Sequence, residues 1–201
     1  MVITHGNILA VFFSANAAEV SEGAHWYRKA HVLAIDLSAK YGVPYFSAVG
    51  IIAALSPNNR WERNVADAER LIKVFVAGGN PHEVKVCTFG KNKQKAIDIL
   101  EGAAPLDVLS GRKVRAFYDC ICHADGGNSV CVDGHAYAIW LGQPVPTSQT
   151  PSISAKLYET ISEDYRKATK QINEITGQNY LPSQVQAITW VAWRNHLKGG
   201  N

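Results

Sequence analysis

The sequence lacks long apolar runs, internal repeats and low-complexity tracts. Hydrophobic residues make up 47% of the 201 residues, yet apolar runs such as 48–55 are far shorter than the about 20 residues that span a bilayer. This excludes a helical membrane protein, so we expect a soluble protein with no membrane partner. A chain of this length without repeats can bury one substantial core, and we predict a single compact domain over residues 1–201.

Cysteine is also scarce. The four cysteines are Cys87, Cys120, Cys122 and Cys131. Met1 is followed by VITHGN, which is not a basic segment leading into an apolar run, so we expect no secretory signal and a cytoplasmic protein. Free thiols are the expected state of the cysteines in that compartment.

A metal site is not expected, although several residues are of ligand type. Cys120, Cys122, His123, Cys131 and His135 could each bind a metal, but Cys-x-Cys-His is not zinc-finger spacing. The sequence also has no second Cys-x-x-Cys pair. We therefore predict buried thiols, no bound metal and no cofactor.

Charged residues are only 18% of the chain, and the net charge of +3 permits an anionic partner without requiring one. The cations cluster in three segments, KNKQK (91–95), GRKVR (111–115) and YRKATK (165–170). Short basic clusters beside glycine turns suit contacts with phosphate. Solvated helix faces would give the same pattern, so both interpretations stay open.

Apolar residues recur at three- and four-residue steps through most of the chain, which predicts an all-α protein. Glycine and proline punctuate the pattern, as at Gly42 and Pro44. The predicted helical segments are 7–41 (two core helices that include Ile35), 45–55 (buried on every face), 62–76, a short helix to about 86, 93–101, 114–122, 136–141, 154–177 and 183–197.

Two connections contain polar residues that could be functional. The loop 56–61 carries Asn58, Asn59 and Arg60 between a buried helix and an amphipathic one. Asparagine is common in turns and at helix starts, so Asn59 could cap the next helix, or Asn58 and Asn59 could contact bases. The second connection is a glycine hairpin between the helices that end near 101 and begin near 114.

The segment 109–140 contains the densest set of candidate residues. A glycine turn is followed by Lys113 between Arg112 and Arg115, and Asp133-Gly134-His135 then follows a short extended apolar run. Asp133 is predicted to lie at a helix start, where its carboxylate can accept backbone N–H bonds. That capping role is compatible with a catalytic role.

The order of these features resembles the helix-hairpin-helix DNA glycosylase superfamily, which includes endonuclease III-like enzymes, and the likeness spans most of the chain. The segments that carry it are Leu55-Ser56-Pro57-Asn58 after the buried helix, Lys95-Ala96 before the hairpin, Gly111-Arg112-Lys113 at the hairpin, and Val132-Asp133-Gly134-His135.

The resemblance implies two helical lobes with a cleft between them, a monomer, and double-stranded DNA containing a modified or damaged base as the partner. It implies that Lys113 attacks the sugar carbon as the base leaves and that Asp133 stabilises the developing positive charge. It also implies a cytoplasmic protein of a bacterial or phage-infected cell. The implied DNA-binding residues are Asn58, Asn59, Arg60, Ser110, Gly111, Arg112, Arg115 and His135.

Three departures from the family pattern bear on these expectations. The family usually has Leu-Pro-Gly-hydrophobic-Gly before the lysine, whereas this chain has Leu109-Ser110-Gly111. A gapless alignment would place Arg115 at the lysine position, and a guanidinium cannot form a Schiff base. Asn58 replaces the longer glutamine that many members insert into the base stack. The absence of cysteine after Cys131 excludes the iron–sulfur cluster of some members.

Two other functions remain open at this point. Relatives of this superfamily in phages are proposed to hypermodify thymine-derived bases, and the divergent hairpin favours such a transferase. A helical DNA-binding protein without catalysis would use Asp133 only as a cap and Lys113 only as a phosphate contact.

Overall fold

The computed structural model describes residues 5–199 and is all-helical over that range, with 72% helix and no strand. This confirms the predicted all-α class. Residues 1–4 lie outside the described residues. The expectation that the chain has no secretory signal concerns these residues in part. In chain order the helices are α1 (His5–Ser14), α2 (Ala17–Ala24), α3 (Trp26–Tyr41), α4 (Tyr45–Leu55), α5 (Trp61–Val76), α6 (Gly90–Leu100), α7 (Pro105–Val108), α8 (Arg112–Cys122), α9 (Gly134–Leu141), α10 (Ala155–Thr176) and α11 (Pro182–Gly199).

The chain divides into two compact units. Unit 1 combines the residues up to Lys29 with those from His123 onwards, and unit 2 is the continuous segment Ala30–Cys122. Unit 1 therefore contains α1, α2, α9, α10 and α11, while unit 2 contains α4 to α8. The boundary after Lys29 lies within the first turn of α3.

The segment predicted as two helices, 7–41, contains three, α1 to α3, because Asn16 starts a new helix. Its side chain accepts hydrogen bonds from the backbone N–H groups of Ala18 and Glu19, both at 3.0 Å. The Glu19 carboxylate in turn accepts from the Asn16 N–H at 3.0 Å. This reciprocal capping box lies between α1 and α2, so the segment has one helix more than predicted.

The core of unit 1 is built around α11, whose predicted apolar stripe is confirmed. Val185, Ile188, Thr189 and Ala192 are all fully buried. Gly23 of α2 approaches this helix so closely that a Cβ atom there would lie 2.4 Å from the Cα of Ile188. The small side chain thus permits backbone contact between α2 and α11.

The core of unit 2 is built around α4. The sequence predicted burial over 45–55, and the structure confirms it from Ala48 to Leu55, whereas Phe46 is 56% exposed. Helices α5, α6, α7 and α8 all pack against α4. Gly50 permits the close approach of α7, since a Cβ atom there would lie 2.9 Å from the Cβ of Pro105.

Several predicted boundaries were wrong in detail. The short helix predicted up to about 86 is a single 3-10 turn, Pro81–Glu83, and α6 begins at Gly90 instead of 93. Ile35 was assigned to the core but is 44% exposed, because Ala34 and Leu37 occupy the buried side of α3. Across residues 5–199, every helix falls short of the length and apolar character that a membrane span requires.

Candidate functional site

Asp133 is the N-cap of α9, as predicted. Its backbone is extended, and its Oδ1 accepts a hydrogen bond from the Ala136 N–H at 2.8 Å. The residue is half-buried, and within the described part of the chain its Oδ2 accepts no hydrogen bond. One carboxylate oxygen therefore starts the helix while the other is available to a ligand.

The segment before Asp133 is held by Tyr158 of α10, a residue that the sequence did not single out. Its hydroxyl accepts from the Val132 N–H at 3.1 Å and donates to the Val130 carbonyl at 2.9 Å. Tyr158, Val130 and Val132 are all buried. Since these two bonds fix a segment outside any helix, they determine where Asp133 enters α9.

A second buried tyrosine lies near the Asp133 carboxylate. Tyr165 is fully buried, and its hydroxyl lies 3.5 Å from the Thr189 Oγ1. Burial raises the pKa of Tyr165 above the usual range, and the negative charge of Asp133 raises it further. The phenol therefore stays neutral at physiological pH.

His135 lies two residues beyond Asp133, on the first turn of α9. It is half-buried, and its ring centroid is 6.4 Å from that of Trp190 in an edge-to-face arrangement. Trp190 also contacts Trp26 at 6.3 Å and carries the Arg194 guanidinium over its face at 4.2 Å. The start of α9 thus adjoins an aromatic cluster with a cation on it.

The hairpin turn, defined here as residues 109–111, joins α7 to α8 in unit 2. Leu109 is buried, whereas Ser110, Gly111, Arg112 and Lys113 are exposed. Gly111 has a φ of 84°, a left-handed conformation that favours glycine. The turn therefore presents two cationic side chains at the start of α8.

Arg115 has a structural position that the sequence did not predict. Its Nε donates to the Leu109 carbonyl at 2.8 Å, and its Nη2 donates to the Leu106 carbonyl at 2.6 Å. The guanidinium thereby satisfies carbonyls at the end of α7 and closes the hairpin turn. Lys95 Nζ of α6 donates to the Ser110 hydroxyl, which adds a further cation beside the turn.

The predicted loop residues Asn58, Asn59 and Arg60 also lie in unit 2. Asn58 is exposed with a φ of 56°, a left-handed conformation that asparagine tolerates. Asn59 does not cap α5, because Arg60 occupies the cap position without a side-chain bond. Of the two alternatives for Asn59, the capping role is therefore wrong.

Asn59 instead belongs to a buried hydrogen-bond network centred on Asp67 of α5. The Asn59 Nδ2 donates to Asp67 Oδ2 at 3.2 Å, and the Cys87 N–H donates to the same oxygen at 2.8 Å. Asp67 is only 1% exposed and also accepts from Arg70 at 3.3 Å. This network fixes the loop that contains Asn58. Asp67 lies outside every motif identified in the sequence.

A ring contact joins the start of α5 to the middle of α8 within unit 2. Trp61, which follows Arg60, lies 6.4 Å from Phe117 of α8 in an edge-to-face arrangement. Asp133 and His135 belong to unit 1. The predicted site residues are thus divided between the units. Lys113 and Arg115, the two residues that could align with the lysine of the glycosylases, are both in unit 2.

The cysteines are free thiols, as predicted, and only Cys87 is exposed. Burial raises the pKa of the Cys122 thiol to about 11. Within residues 5–199, no group of three or more histidine, cysteine or acidic side chains could hold a metal ion.

A cavity of about 530 Å³ lies elsewhere in unit 1, along α10 and the start of α11. It contains none of the predicted site residues. Its guanidinium, from Arg166, already pairs with Glu159 at 2.8 Å and Glu163 at 3.3 Å. These pairs offset the charge of Arg166, and Lys170 is the other cation that lines the cavity.

The fold and these side chains define an all-helical protein of two compact units, with a half-buried carboxylate at one helix start and a cationic turn at another. The chain belongs to the family of unknown function DUF7178, whose model matches residues 3–197. No curated protein and no solved structure matches it.

Proposed function

We propose that the protein is a DNA glycosylase-like enzyme that flips a modified or damaged base out of duplex DNA and cleaves its N-glycosidic bond. Base flipping is required because a stacked base hides that bond from protein side chains. The resemblance to the helix-hairpin-helix glycosylases supplies the reaction class, and the placement of Asp133 is the observation that carries the proposal.

The environment of Asp133 suits the chemistry of this reaction. When the glycosidic bond breaks, its electron pair leaves with the base and the sugar gains oxocarbenium character. A fixed carboxylate can stabilise that positive charge without reorganising. The Asp133 carboxylate is fixed by the Ala136 N–H and by the segment 130–132, which Tyr158 holds in place. Its Oδ2 accepts no hydrogen bond from the residues that the structure describes.

The hairpin turn supports DNA binding by unit 2. Ser110 and Gly111 are exposed at a left-handed turn, where backbone N–H groups can approach a phosphate closely. Arg112 and Lys113 are exposed beside it. Asn58 is exposed in a left-handed conformation on the loop 56–61, in keeping with its proposed insertion into the vacated base stack.

The hydrogen bonds of Arg115 favour Lys113 as the attacking amine. Arg115 is bound to two backbone carbonyls and cannot form a Schiff base. Lys113 is exposed on the first turn of α8, and Arg112 adjoins it. Borohydride trapping on abasic DNA should therefore yield a covalent adduct that disappears in Lys113→Ala. Trapping that persists in this variant would exclude Lys113 as the nucleophile.

Asp133→Asn tests the carboxylate directly. Asparagine keeps an oxygen that can accept from the Ala136 N–H, so the helix start should survive. We expect release of free base, measured by mass spectrometry over a panel of modified duplexes, to fall by about 10²–10³-fold while DNA binding is retained. Asp125→Asn, which removes an exposed carboxylate from the connection before α9, is the matched control.

The same assay distinguishes the two other functions. The connection between α7 and α8 is only three residues long, 109–111, which differs from the glycosylase pattern and favours a base-modifying transferase. A transferase would give a heavier nucleoside and no free base. Binding without any product would identify a non-catalytic DNA-binding protein, and loss of binding with residual base release in Asp133→Asn would contradict the assigned role.

A further inference from the structure

The guanidinium of Arg194 on α11 lies over an aromatic ring. Its guanidinium carbon lies 4.2 Å from the centroid of the Trp190 ring, one helical turn earlier. Both residues are half-buried, and no carboxylate pairs with Arg194 anywhere in the part of the chain that the structure describes. The charge is therefore held in place but has no counterion among the described residues.

The aromatic cluster under Arg194 restricts its movement. Trp190 is flanked by Trp26 at 6.3 Å and by His135 at 6.4 Å, both edge-to-face. A guanidinium stacked on a fixed indole has lost rotamer freedom before any ligand arrives. Binding an anion then costs less conformational entropy than it would for a mobile surface lysine.

The position of the cluster connects it to the proposed chemistry. His135, which touches Trp190, is two residues beyond Asp133 on the first turn of α9. The exposed N–H groups of a helix start carry partial positive charge, so this neighbourhood favours an anion except at the Asp133 carboxylate itself. In duplex DNA the anion next to a reacting nucleotide is its phosphodiester.

We infer that Arg194, stacked on Trp190, binds a DNA phosphodiester that flanks the nucleotide at Asp133. This inference rests on the proposed function. A stacked guanidinium leaves its N–H groups in the ring-parallel plane, where two of them can bind two phosphate oxygens at once. Trp190 and His135 serve as the support for this contact, and Arg194 fixes the register of the strand in unit 1.

The test measures binding separately from base release. The probe is a duplex with a tetrahydrofuran abasic analogue, which has no base to release, and its Kd is measured by fluorescence anisotropy over a range of KCl concentrations. We expect Arg194→Gln to weaken binding about tenfold and to reduce the slope of log Kd against log salt by about 0.9, since one phosphate contact is lost. Arg194→Lys should keep the slope but not the full affinity.

Two controls test whether a change in Kd and salt slope is specific to Arg194. Lys156→Gln removes the same charge from an exposed position on α10 that has no aromatic support, and it should leave both Kd and slope near the wild-type values. Replacing single flanking phosphates by neutral methylphosphonates tests the wild-type protein without any mutation. At one of these phosphates, the replacement should raise the Kd of the wild type about tenfold. The same replacement should not raise the Kd of Arg194→Gln any further.

The outcomes separate this inference from the proposed function. An unchanged salt slope in Arg194→Gln, or the absence of any sensitive phosphate, overturns the inference even where base release is observed. A reduced slope with no base release from any duplex supports the phosphate contact and contradicts the glycosylase. A wild-type protein that does not bind the abasic duplex overturns both.

Discussion

Asp133 shows how one side chain can serve structure and chemistry together. Its Oδ1 accepts the Ala136 N–H, and its Oδ2 is available within the described part of the chain. Sequence reasoning predicted the cap correctly, because an aspartate between an extended apolar run and a helical pattern has few other local roles. It could not predict that Tyr158 holds the preceding segment, since the residues are far apart in the chain.

Tyr158→Phe should destabilise unit 1 without leaving a large void. The variant removes the hydroxyl that pairs with the Val130 carbonyl and the Val132 N–H, and it leaves both backbone groups buried without that partner. We expect a loss of about 1–3 kcal/mol in the free energy of unfolding, measured by chemical denaturation. Tyr137→Phe on α9 is the control. An equal loss of unfolding free energy in that variant would show that the two hydrogen bonds of Tyr158 are unimportant for stability.

The cysteines should differ in reactivity. Burial raises the pKa of Cys122 to about 11, so only about one thiol in a thousand is a thiolate at pH 8. Cys87 is exposed. We expect iodoacetamide to alkylate Cys87 first under native conditions, with Cys122 labelled faster as the pH rises towards its pKa. Peptide mass mapping measures the labelling rate of each cysteine. Equal rates for Cys87 and Cys122 would contradict this environment for Cys122.

At the scale of helices, Gly50 determines how closely α7 approaches α4. A methyl group at Gly50 would lie 2.9 Å from the Cβ of Pro105 and 3.2 Å from the Cδ1 of Ile99. Alanine normally stabilises a helix relative to glycine by about 1 kcal/mol, but crowding should reverse the sign here. We expect Gly50→Ala to lower stability by about 1–3 kcal/mol in thermal or chemical unfolding.

Gly90→Ala provides the opposite case on α6. A Cβ atom there would meet no atom within 4 Å, so the substitution should be neutral or stabilising. A stabilising effect of Gly50→Ala similar to that of Gly90→Ala would show that α4 and α7 are not in close contact.

The packing of α2 against α11 should depend on pH through Glu19. Hydrogen bonds from the Asn16 backbone and the Asn195 side chain lower the pKa of Glu19. A lowered folded-state pKa gives stability that is full above the unfolded value, about 4.3, and is lost as the pH falls through the folded value. We expect the unfolding midpoint of the wild type to fall more steeply below about pH 4.3 than that of Glu19→Gln.

Glu22→Gln is the control for this pH profile, because Glu22 is exposed on the same helix. Its profile should run parallel to that of the wild type. Parallel profiles for Glu19→Gln as well would show that the capping box and the Asn195 bond do not depend on the charge of Glu19.

The helices that the sequence predicted well are those with a strong pattern and a clear stop. Segment 45–55 is apolar on every face and ends at Ser56-Pro57, and its bounds as α4 are confirmed. The break at Asn16 was missed because it depends on a reciprocal bond with Glu19 and not on glycine or proline. The role of Arg115 was also missed, since its partners are backbone carbonyls that no side-chain motif reveals.

The whole molecule could not be predicted beyond its helical class, because its organisation depends on pairing between chain ends. Tyr27 donates to Gln186 at 3.0 Å, and Asn195 donates to Glu19 at 3.0 Å. These contacts place the beginning and the end of the chain in unit 1. Of the three basic clusters, 91–95 and 111–115 fall in unit 2, and 165–170 falls in unit 1, where Arg166 is neutralised by Glu159 and Glu163.

Unit 2 should fold without unit 1, because it is a continuous segment with its own core. Residues 30–122 include α4, which is buried among α5, α6, α7 and α8. A segment of this size with one hydrophobic core is expected to unfold cooperatively. We expect the isolated fragment 30–122 to give a helical circular dichroism spectrum and a single thermal transition. Gly50→Ala should lower the midpoint of that transition as it does in the full chain, whereas a non-cooperative melt, unaffected by Gly50→Ala, would mean that unit 2 requires residues of unit 1 for its core.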